Sequence, residues 1–241
     1  MPSLTVHHLQ VGQGERIPWL LEELGIAYEV KPYQRAPIFS PKELKDLHPL
    51  GASPVLEDAT EDAKNPLFLA ESSAVADYLI HKYGNGRLAL APSDANYADY
   101  LYWFHYTNGT LQPAIGRRMT VYALTQDQTN PRVRMVDERL QLAFQNLNDR
   151  VEKKTWLAGD EFTAADIMAV FSFTTMRSFM PYDLSPYPGI LAWLKRCTER
   201  EGYRTAMKKA DPELDIEGLI SAKGPGLFDA LKKMMAAQQA K

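Results

Sequence analysis

Two short segments carry residues that could together hold an amino-acid head group. Ser53 precedes Pro54 at the start of an apolar run, and Glu71 precedes Ser72 at the start of an amphipathic run. A proline that enters a strand is at times cis, which turns the backbone groups of the preceding residue outward. The Glu71 carboxylate could hold an ammonium group, while the Ser72 hydroxyl and the N–H groups of a helix start could hold a carboxylate. The two segments therefore predict a binding site for a peptide.

Strand and helix patterns place both segments in an N-terminal α/β unit. Residues 1–84 predict, in order, a strand, a helix, a strand, a helix, two strands and a helix, which is βαβαββα. The first three elements, over 4–9, 17–25 and 28–33, form a βαβ unit whose two strands should run parallel. Gly25 is the expected stop of the first helix. Because Pro54 and Ser72 border the last two strands, the sheet should bring them together.

Only helical patterns follow residue 84. Residues 85–94 predict a linker, and residues 95–241 predict an all-helical domain with a C-terminal extension from about residue 211. Apolar residues of the extension lie on one helical face: Leu227, Phe228, Leu231, Met234 and Met235. This face could close over a substrate cleft, pack on a partner subunit or form a final core helix.

Composition and charge exclude several classes of protein. The 241 residues carry 27 basic and 30 acidic side chains, a net charge of -3, so neither nucleic acid nor an anionic membrane is an expected partner. An apolar run of transmembrane length is absent from the sequence, and the N-terminal residues do not resemble a signal peptide. Cys197 is the single cysteine, which fits a reducing compartment, so we expect a cytoplasmic protein.

Several segments resemble the glutathione transferase family in order and spacing, and are most similar to its fungal and bacterial branch. They are Ser53-Pro54, Glu71-Ser72, His7-His8-Leu9, residues 27–33, residues 43–51 and residues 162–167. The resemblance implies a thioredoxin-like βαβαββα domain followed by an all-helical domain. It also implies glutathione as co-substrate, no metal, and a symmetric homodimer.

The resemblance implies glutathione-binding roles for six residues: Ser53, Pro54, Glu71, Ser72, His48 and Arg35. Ala52 stands where many relatives carry Lys or Arg, so Arg35 is expected to supply the missing contact to the terminal carboxylate of the peptide. His48 is as typical of a helix end as of a ligand contact.

The loop that should activate the glutathione thiol lacks the expected hydroxyl groups. Between Val11 and Arg16 there is no Ser, Tyr or Cys, and glycines replace the two hydroxyl positions found in related sequences. A thiol pKa of about 8.5 falls by two units only if the thiolate gains roughly 2.7 kcal/mol of preferential stabilisation. Backbone donors freed by Gly12 and Gly14, together with the Gln13 amide, could reach that range, since hydrogen bonds to a charged group contribute about 1.5 to 3 kcal/mol each.

Two other groups are alternatives for thiol activation. Tyr106 is expected on a helix that faces the cleft, although a tyrosine at such a position is more often a core residue. His7 and His8 lie on the first strand, where histidines more often pack than react.

The second substrate should bind between the two domains, because domain interfaces favour apolar pockets. Val11, Gly14, Trp103 and Asn108 are the expected lining residues. The leading hypothesis is a transferase that conjugates glutathione to electrophilic, hydrophobic small molecules in detoxification or secondary metabolism. The alternatives are a glutathione-binding carrier with little turnover, and a glutathione-dependent isomerase, lyase or peroxidase.

Overall fold

The computed structural model of the protein describes residues 3–239, and a four-stranded sheet forms its N-terminal part. The strands are β1 (Leu4–Leu9), β2 (Glu29–Tyr33), β3 (Val55–Asp58) and β4 (Leu67–Leu69), and their order across the sheet is β2-β1-β3-β4. β1 runs parallel to β2 and antiparallel to β3, which is antiparallel to β4. The parallel pair confirms the predicted βαβ unit.

Three helices accompany the sheet: α1 (Arg16–Leu24), α2 (Lys42–Lys45) and α3 (Ser72–Lys82). α1 continues directly from a 3-10 turn over Gln13–Glu15. Gly25 ends α1 in the left-handed conformation, with φ of 65°, as the sequence predicted. This order of strands and helices confirms the thioredoxin-like unit.

The rest of the chain within the described residues is helical. Its α-helices are α4 (Tyr97–Tyr106), α5 (Gln112–Leu124), α6 (Pro131–Lys153), α7 (Ala164–Val170), α8 (Pro188–Thr198), α9 (Glu201–Ala210), α10 (Ile216–Ile220) and α11 (Asp229–Gln239). Within residues 3–239, no helix combines the length and the apolar character that crossing a membrane requires. The domain limits at residues 84 and 95 stay a prediction.

A buried carboxylate fixes the start of α7. Asp166 accepts a hydrogen bond from the N–H of Thr163 at 3.2 Å, and Thr163 in turn caps the helix, which is a capping box. Asp166 also accepts from the Leu157 N–H at 3.0 Å and from the Trp193 indole at 2.9 Å. Burial raises the pKa of Asp166 to about 6. α7, α8 and the turn before α7 are therefore held by one side chain.

The hydrophobic core runs without interruption from the sheet into the helical region. Leu4 of β1 and Met207 of α9 belong to the same cluster of buried side chains. The rings of Trp19 in α1 and Tyr203 in α9 meet edge to face, with centroids 5.0 Å apart. α1 thus packs against α3 of the N-terminal unit and against α9 of the helical region.

The C-terminal extension packs on its own chain. The buried guanidinium of Arg177 donates hydrogen bonds to four carbonyls, those of Tyr182, Leu219, Ser221 and Ala222, at 2.7 to 3.2 Å. Farther on, the ring of Phe228 lies 5.4 Å from that of Phe179. Met234 and Met235 remain more than a third exposed, so only part of the predicted apolar face is covered.

Candidate functional site

The turn before β3 presents its backbone toward the end of β1. The peptide bond between Ser53 and Pro54 is cis. The Ser53 hydroxyl accepts a hydrogen bond from the Leu9 N–H at 2.9 Å, and the Gln13 side-chain amide donates to the Ser53 carbonyl at 3.0 Å. The turn is therefore tied both to β1 and to the loop that follows it.

The start of α3 supplies the second predicted segment. Glu71 is exposed and has a φ of 69°, and it directly precedes the first helical residue, Ser72. Ser72 is buried, and its hydroxyl accepts a hydrogen bond from Nη1 of Arg16 at 3.0 Å. Since the first N–H groups of a helix have no intrahelical acceptor, they remain free to bind an anion. We call Ser53-Pro54 and Glu71-Ser72 together the binding edge.

A buried guanidinium links the binding edge to its surroundings. Nη1 of Arg16 also donates to the side-chain oxygens of Gln13 at 3.2 Å and Asn108 at 3.3 Å. These partners are all neutral, and Nε and Nη2 have no hydrogen-bond partner among residues 3–239. Burial lowers the pKa of Arg16 to about 9, so the group stays protonated at neutral pH. Arg16 thus places a positive charge behind Ser72 and Gln13, where it favours an anionic ligand.

Residues Val11–Arg16, which we call the thiol loop, have no space for the missing hydroxyl groups. A β-carbon added at Gly12 would lie 2.9 Å from the Leu9 carbonyl oxygen. One added at Gly14 would lie only 2.4 Å from Nδ1 of His8 and 3.0 Å from the Ser53 hydroxyl. The buried His8 ring therefore occupies the space that a side chain at position 14 would need. Backbone N–H groups at the start of the 3-10 turn and the Gln13 amide are the donors that remain.

Glu15 anchors the thiol loop in the helical region. Its buried carboxylate accepts hydrogen bonds from the hydroxyls of Thr174 at 3.0 Å and Thr175 at 2.7 Å. Burial raises the pKa of Glu15 to about 7, and the nearby Asp211 carboxylate adds to this. The charge at this point of the loop therefore changes near neutral pH.

Arg35, predicted to contact the ligand carboxylate, is engaged with backbone. It donates to the carbonyls of Gln10 at 3.1 Å, Val11 at 2.7 Å and Ile38 at 2.7 Å. Its guanidinium also lies over the Phe179 ring, 4.5 Å from the centroid. These contacts hold the segments on either side of Arg35 and use three of its five N–H groups. Its contact with the ligand carboxylate stays a prediction.

His48 lies in the turn after α2, a helix of four residues. The ring is half-buried, and its Nδ1 accepts a hydrogen bond from the Leu50 N–H at 3.4 Å. This contact agrees with the first of the two expected roles of His48, that of a residue at a helix end. A contact with the ligand stays a prediction.

The hydroxyl of Tyr106 is engaged within the helical region. It donates to the Ala143 carbonyl of α6 at 3.0 Å, and burial raises its pKa. Trp103 is equally buried and meets Tyr106 edge to face, with ring centroids 5.0 Å apart. Both side chains thus pack in the core, and this arrangement favours a structural role over catalysis for Tyr106 and over pocket lining for Trp103.

A π-helical turn, which sequence periodicity did not predict, brings the helical region to the thiol loop. It spans Thr107–Leu111 between α4 and α5. Through it, Asn108 reaches Arg16, and the Gln112 amide reaches the Gln13 side-chain oxygen at 3.4 Å. The run of poor helix formers at Thr107, Asn108 and Gly109 was the available signal, since such turns occur often at functional sites.

Comparison with known proteins gives the family. A model of the glutathione S-transferase N-terminal domain matches residues 13–82, and a model of the C-terminal domain matches residues 111–201. Glutathione S-transferase 1 of Saccharomyces cerevisiae is 31% identical over 229 residues, which are 87% of this chain and 96% of that protein. The chain belongs to the glutathione S-transferase family.

Other glutathione S-transferases match over a similar length. Glutathione S-transferase 3 of Schizosaccharomyces pombe is 27% identical over 224 residues, which are 86% of this chain and 88% of that protein. A crystal structure of a glutathione S-transferase from Actinobacillus pleuropneumoniae superimposes with a TM-score of 0.76 and 28% identity, covering 89% of this chain and 95% of that chain. Membership of the glutathione S-transferase family supports a transferase activity that uses glutathione.

Proposed function

We propose that the protein conjugates glutathione to electrophilic, hydrophobic small molecules. The observation that carries this proposal is the set of hydrogen bonds through which Gln13 contacts Ser53 and Arg16 contacts both Gln13 and Ser72. These bonds join the thiol loop to both segments of the binding edge. A peptide held at that edge by its head group would place its thiol beside the loop.

Glutathione binding is assigned to the two segments of the binding edge. Glu71 pairs with the ammonium of the γ-glutamyl group, while Ser72 and the free N–H groups of α3 hold its carboxylate. The buried charge of Arg16 strengthens the second contact through the Ser72 hydroxyl. The backbone of Ser53 is assigned to pair with the central residue of the peptide.

Activation of the thiol is assigned to the thiol loop. The donors assigned to the sulfur are the backbone N–H groups at the start of the 3-10 turn and the Gln13 amide. Two donors that each contribute about 1.5 to 3 kcal/mol would supply the roughly 2.7 kcal/mol that a two-unit fall in thiol pKa needs. The resulting thiolate attacks an electrophile that lies between the thiol loop and the π-helical turn, near Val11 and Asn108.

The ultraviolet absorbance of the glutathione thiolate, followed across pH at saturating protein, tests this proposal. An apparent pKa well below about 8.5 for the bound thiol is the expected result. Calorimetry confirms saturation at each pH. Protein that binds glutathione without shifting its thiol pKa would contradict the proposed mechanism.

A carrier that binds glutathione with little turnover is the second candidate. The two crowded glycine positions favour it, because they exclude the hydroxyl that would otherwise activate the thiol. This candidate predicts binding with an ordinary thiol pKa, so the same absorbance measurement separates it from the transferase. An isomerase, lyase or peroxidase would use the same binding edge and a different second pocket.

We also propose a cytoplasmic homodimer. Large apolar side chains are exposed on β4, α4 and α6: Leu67, Phe68, Tyr102 and Leu142. In the proposed dimer these side chains would pack against the partner subunit. Analytical ultracentrifugation of the wild type and of Phe68→Ser tests the proposed dimer. We expect the wild type to be a dimer and the variant to dissociate more readily.

A further inference from the structure

The thiol loop begins with a backbone conformation that β-branched residues rarely adopt. Val11 has a φ of 54°, in the left-handed region where the β-carbon of an L-residue crowds the backbone. A residue persists in such a conformation only where the surrounding structure holds it. The contacts of Val11 therefore indicate what fixes the loop.

Two charged side chains hold Val11 at its two backbone polar groups. Oδ1 of Asp211 accepts a hydrogen bond from the Val11 N–H at 2.9 Å. Nη2 of Arg35 donates to the Val11 carbonyl at 2.7 Å. Bonds to charged groups are about twice as strong as neutral ones, so this pair of contacts can maintain a strained residue.

The second oxygen of Asp211 acts on the other end of the loop. Oδ2 accepts a hydrogen bond from Nε2 of His8 at 2.7 Å, and both side chains are almost fully buried. This bond fixes the His8 ring, whose Nδ1 fills the space beside Gly14. One carboxylate thus contacts the residue that starts the loop and orients the ring against which the loop packs.

We propose that Asp211 is a positioning residue for the thiol site, which holds the loop directly at Val11 and through His8 at Gly14. Asp211 follows α9 and lies beyond residue 201, where the match to the C-terminal family model ends. The C-terminal part of the chain thereby contributes to a site whose thiol loop and binding edge come from the N-terminal unit. This inference rests on the proposed function, because there the donors of the loop act on the thiol.

Because Val11 is strained, an experiment can distinguish a positioning role of Asp211 from a merely structural one. If Asp211 only satisfied His8 in the core, its loss would lower stability and leave the bound thiol unchanged. If Asp211 holds Val11, the need for it should fall once residue 11 is glycine, which adopts positive φ without crowding. The variant Val11→Gly should then compensate for the loss of the carboxylate.

The experiment compares Asp211→Ala, Val11→Gly and the double variant with the wild type. Glu213→Ala, which removes an exposed carboxylate two residues away, is the matched control. The readouts are the pKa of bound glutathione by thiolate absorbance, its Kd by calorimetry, and amide hydrogen exchange over residues 11–15. Far-ultraviolet circular dichroism verifies that each variant is folded.

We expect Asp211→Ala to raise the bound thiol pKa by about one unit, which is a tenfold loss of thiolate at a fixed pH below the pKa. Amide exchange in the loop should accelerate by about tenfold or more, since the loop then opens more readily. The double variant should recover at least half of the pKa change. The Glu213→Ala control should resemble the wild type. Val11→Gly alone changes the thiol loop itself, so it is the reference against which the loss of Asp211 in the double variant is measured.

Folded Asp211→Ala protein with a wild-type thiol pKa and wild-type loop exchange would overturn the proposal, as would a double variant without any recovery. Asp211→Asn covers the case in which Asp211→Ala does not fold. It replaces the charged acceptor by a neutral one, so we expect a pKa rise of about half a unit and faster loop exchange; unchanged values of both would count against Asp211. Wild-type protein that binds no glutathione would contradict the proposed function instead, and loop exchange would still decide the role of Asp211.

Discussion

The binding edge takes its residues from two segments that border neighbouring strands, whereas the thiol loop takes its contacts from the whole length of the chain. Pro54 and Ser72 are brought together by the pairing of β3 and β4. The thiol loop is held by Asn108, Thr175 and Asp211, which lie in three different parts of the helical region. Binding residues on a small sheet can keep their arrangement when the helices change. The thiol loop, in contrast, depends on contacts from the helices.

This difference separates the two steps of the proposed reaction. A change in the helical region should alter how the thiol is activated while leaving the head-group contacts intact. A change at the binding edge should do the reverse. Four substitutions test this separation, and they follow in order of expected effect.

Glu15→Gln should have the largest effect, which is an increase in the free energy of unfolding at pH 8. The native pKa of Glu15 is raised from 4.5 to about 7, so the folded protein holds this proton more tightly than the unfolded chain. Stability therefore falls as pH rises from about 4.5 to about 7, and the full cost, on the order of 3 kcal/mol, is present above that range. The neutral amide should remove this cost, so urea unfolding at pH 8 should show a more stable variant, with little difference at pH 4.5.

An exposed carboxyl provides the control for Glu15. Glu161→Gln should change stability little at either pH. Asp166, whose pKa is also raised, contributes equally to both proteins and cancels in the difference. A Glu15 variant with the same gain at both pH values would mean that its carboxyl is not the titrating group.

Glu71→Gln should weaken glutathione binding by ten- to a hundredfold, about 1.5 to 3 kcal/mol, because a charge-assisted contact to the ammonium is lost. The pKa of the bound thiol should stay the same, since Glu71 belongs to the binding edge. Calorimetry gives the Kd and absorbance gives the pKa. Glu43→Gln, at another exposed position of the same unit, should leave both unchanged. A shifted thiol pKa in Glu71→Gln would remove the separation between the two regions.

Gly14→Ser restores a hydroxyl to the thiol loop and should still fail to activate the thiol. Its β-carbon would collide with the His8 ring, which Asp211 holds, so we expect a loss of about 1 to 3 kcal/mol of stability. Thermal unfolding and thiolate absorbance measure the two effects. Gly116→Ser is the control, because a β-carbon there meets open space. A lower thiol pKa in Gly14→Ser would indicate that His8 moves aside.

Tyr106→Phe should have the smallest effect. Loss of the hydroxyl removes one hydrogen bond, to the Ala143 carbonyl, and should cost about 0.5 to 1.5 kcal/mol. Turnover with a model electrophile should stay within about twofold of the wild type. Tyr102→Phe, at an exposed ring in the same helix, serves for comparison. A tenfold fall in turnover for Tyr106→Phe alone would restore the catalytic role that the sequence suggested.

Local sequence rules predicted those parts that local contacts determine. The parallel pairing of β1 with β2 and the stop at Gly25 both depend on residues close in sequence or on the periodicity of one element. The peptide-binding turn at Ser53-Pro54 was predicted for the same reason, because its signal lies in adjacent residues. These features would be predicted in any chain with the same short segments.

The rest depended on contacts between residues far apart in sequence. Arg35 was expected to bind ligand because a cation was missing at Ala52, and the structure adds hydrogen bonds from three of its five N–H groups to carbonyls that no pattern reveals. The contacts that Asp211 makes with Val11 and His8 span about two hundred residues, and an acidic residue after a helix gives no sign of them. Charged residues find such partners only when the fold is complete.

The core that runs from Leu4 to Met207 has a consequence for how this protein can be recombined. Since Trp19 packs on Tyr203, the apolar side chains on that side of α1 are buried by the helical region and not by the N-terminal unit itself. A chimera that joined residues 1–84 to a foreign helical domain would expose an indole and neighbouring leucines to water. Exchange of whole halves is therefore expected to need a donor whose α9 carries a matching aromatic ring.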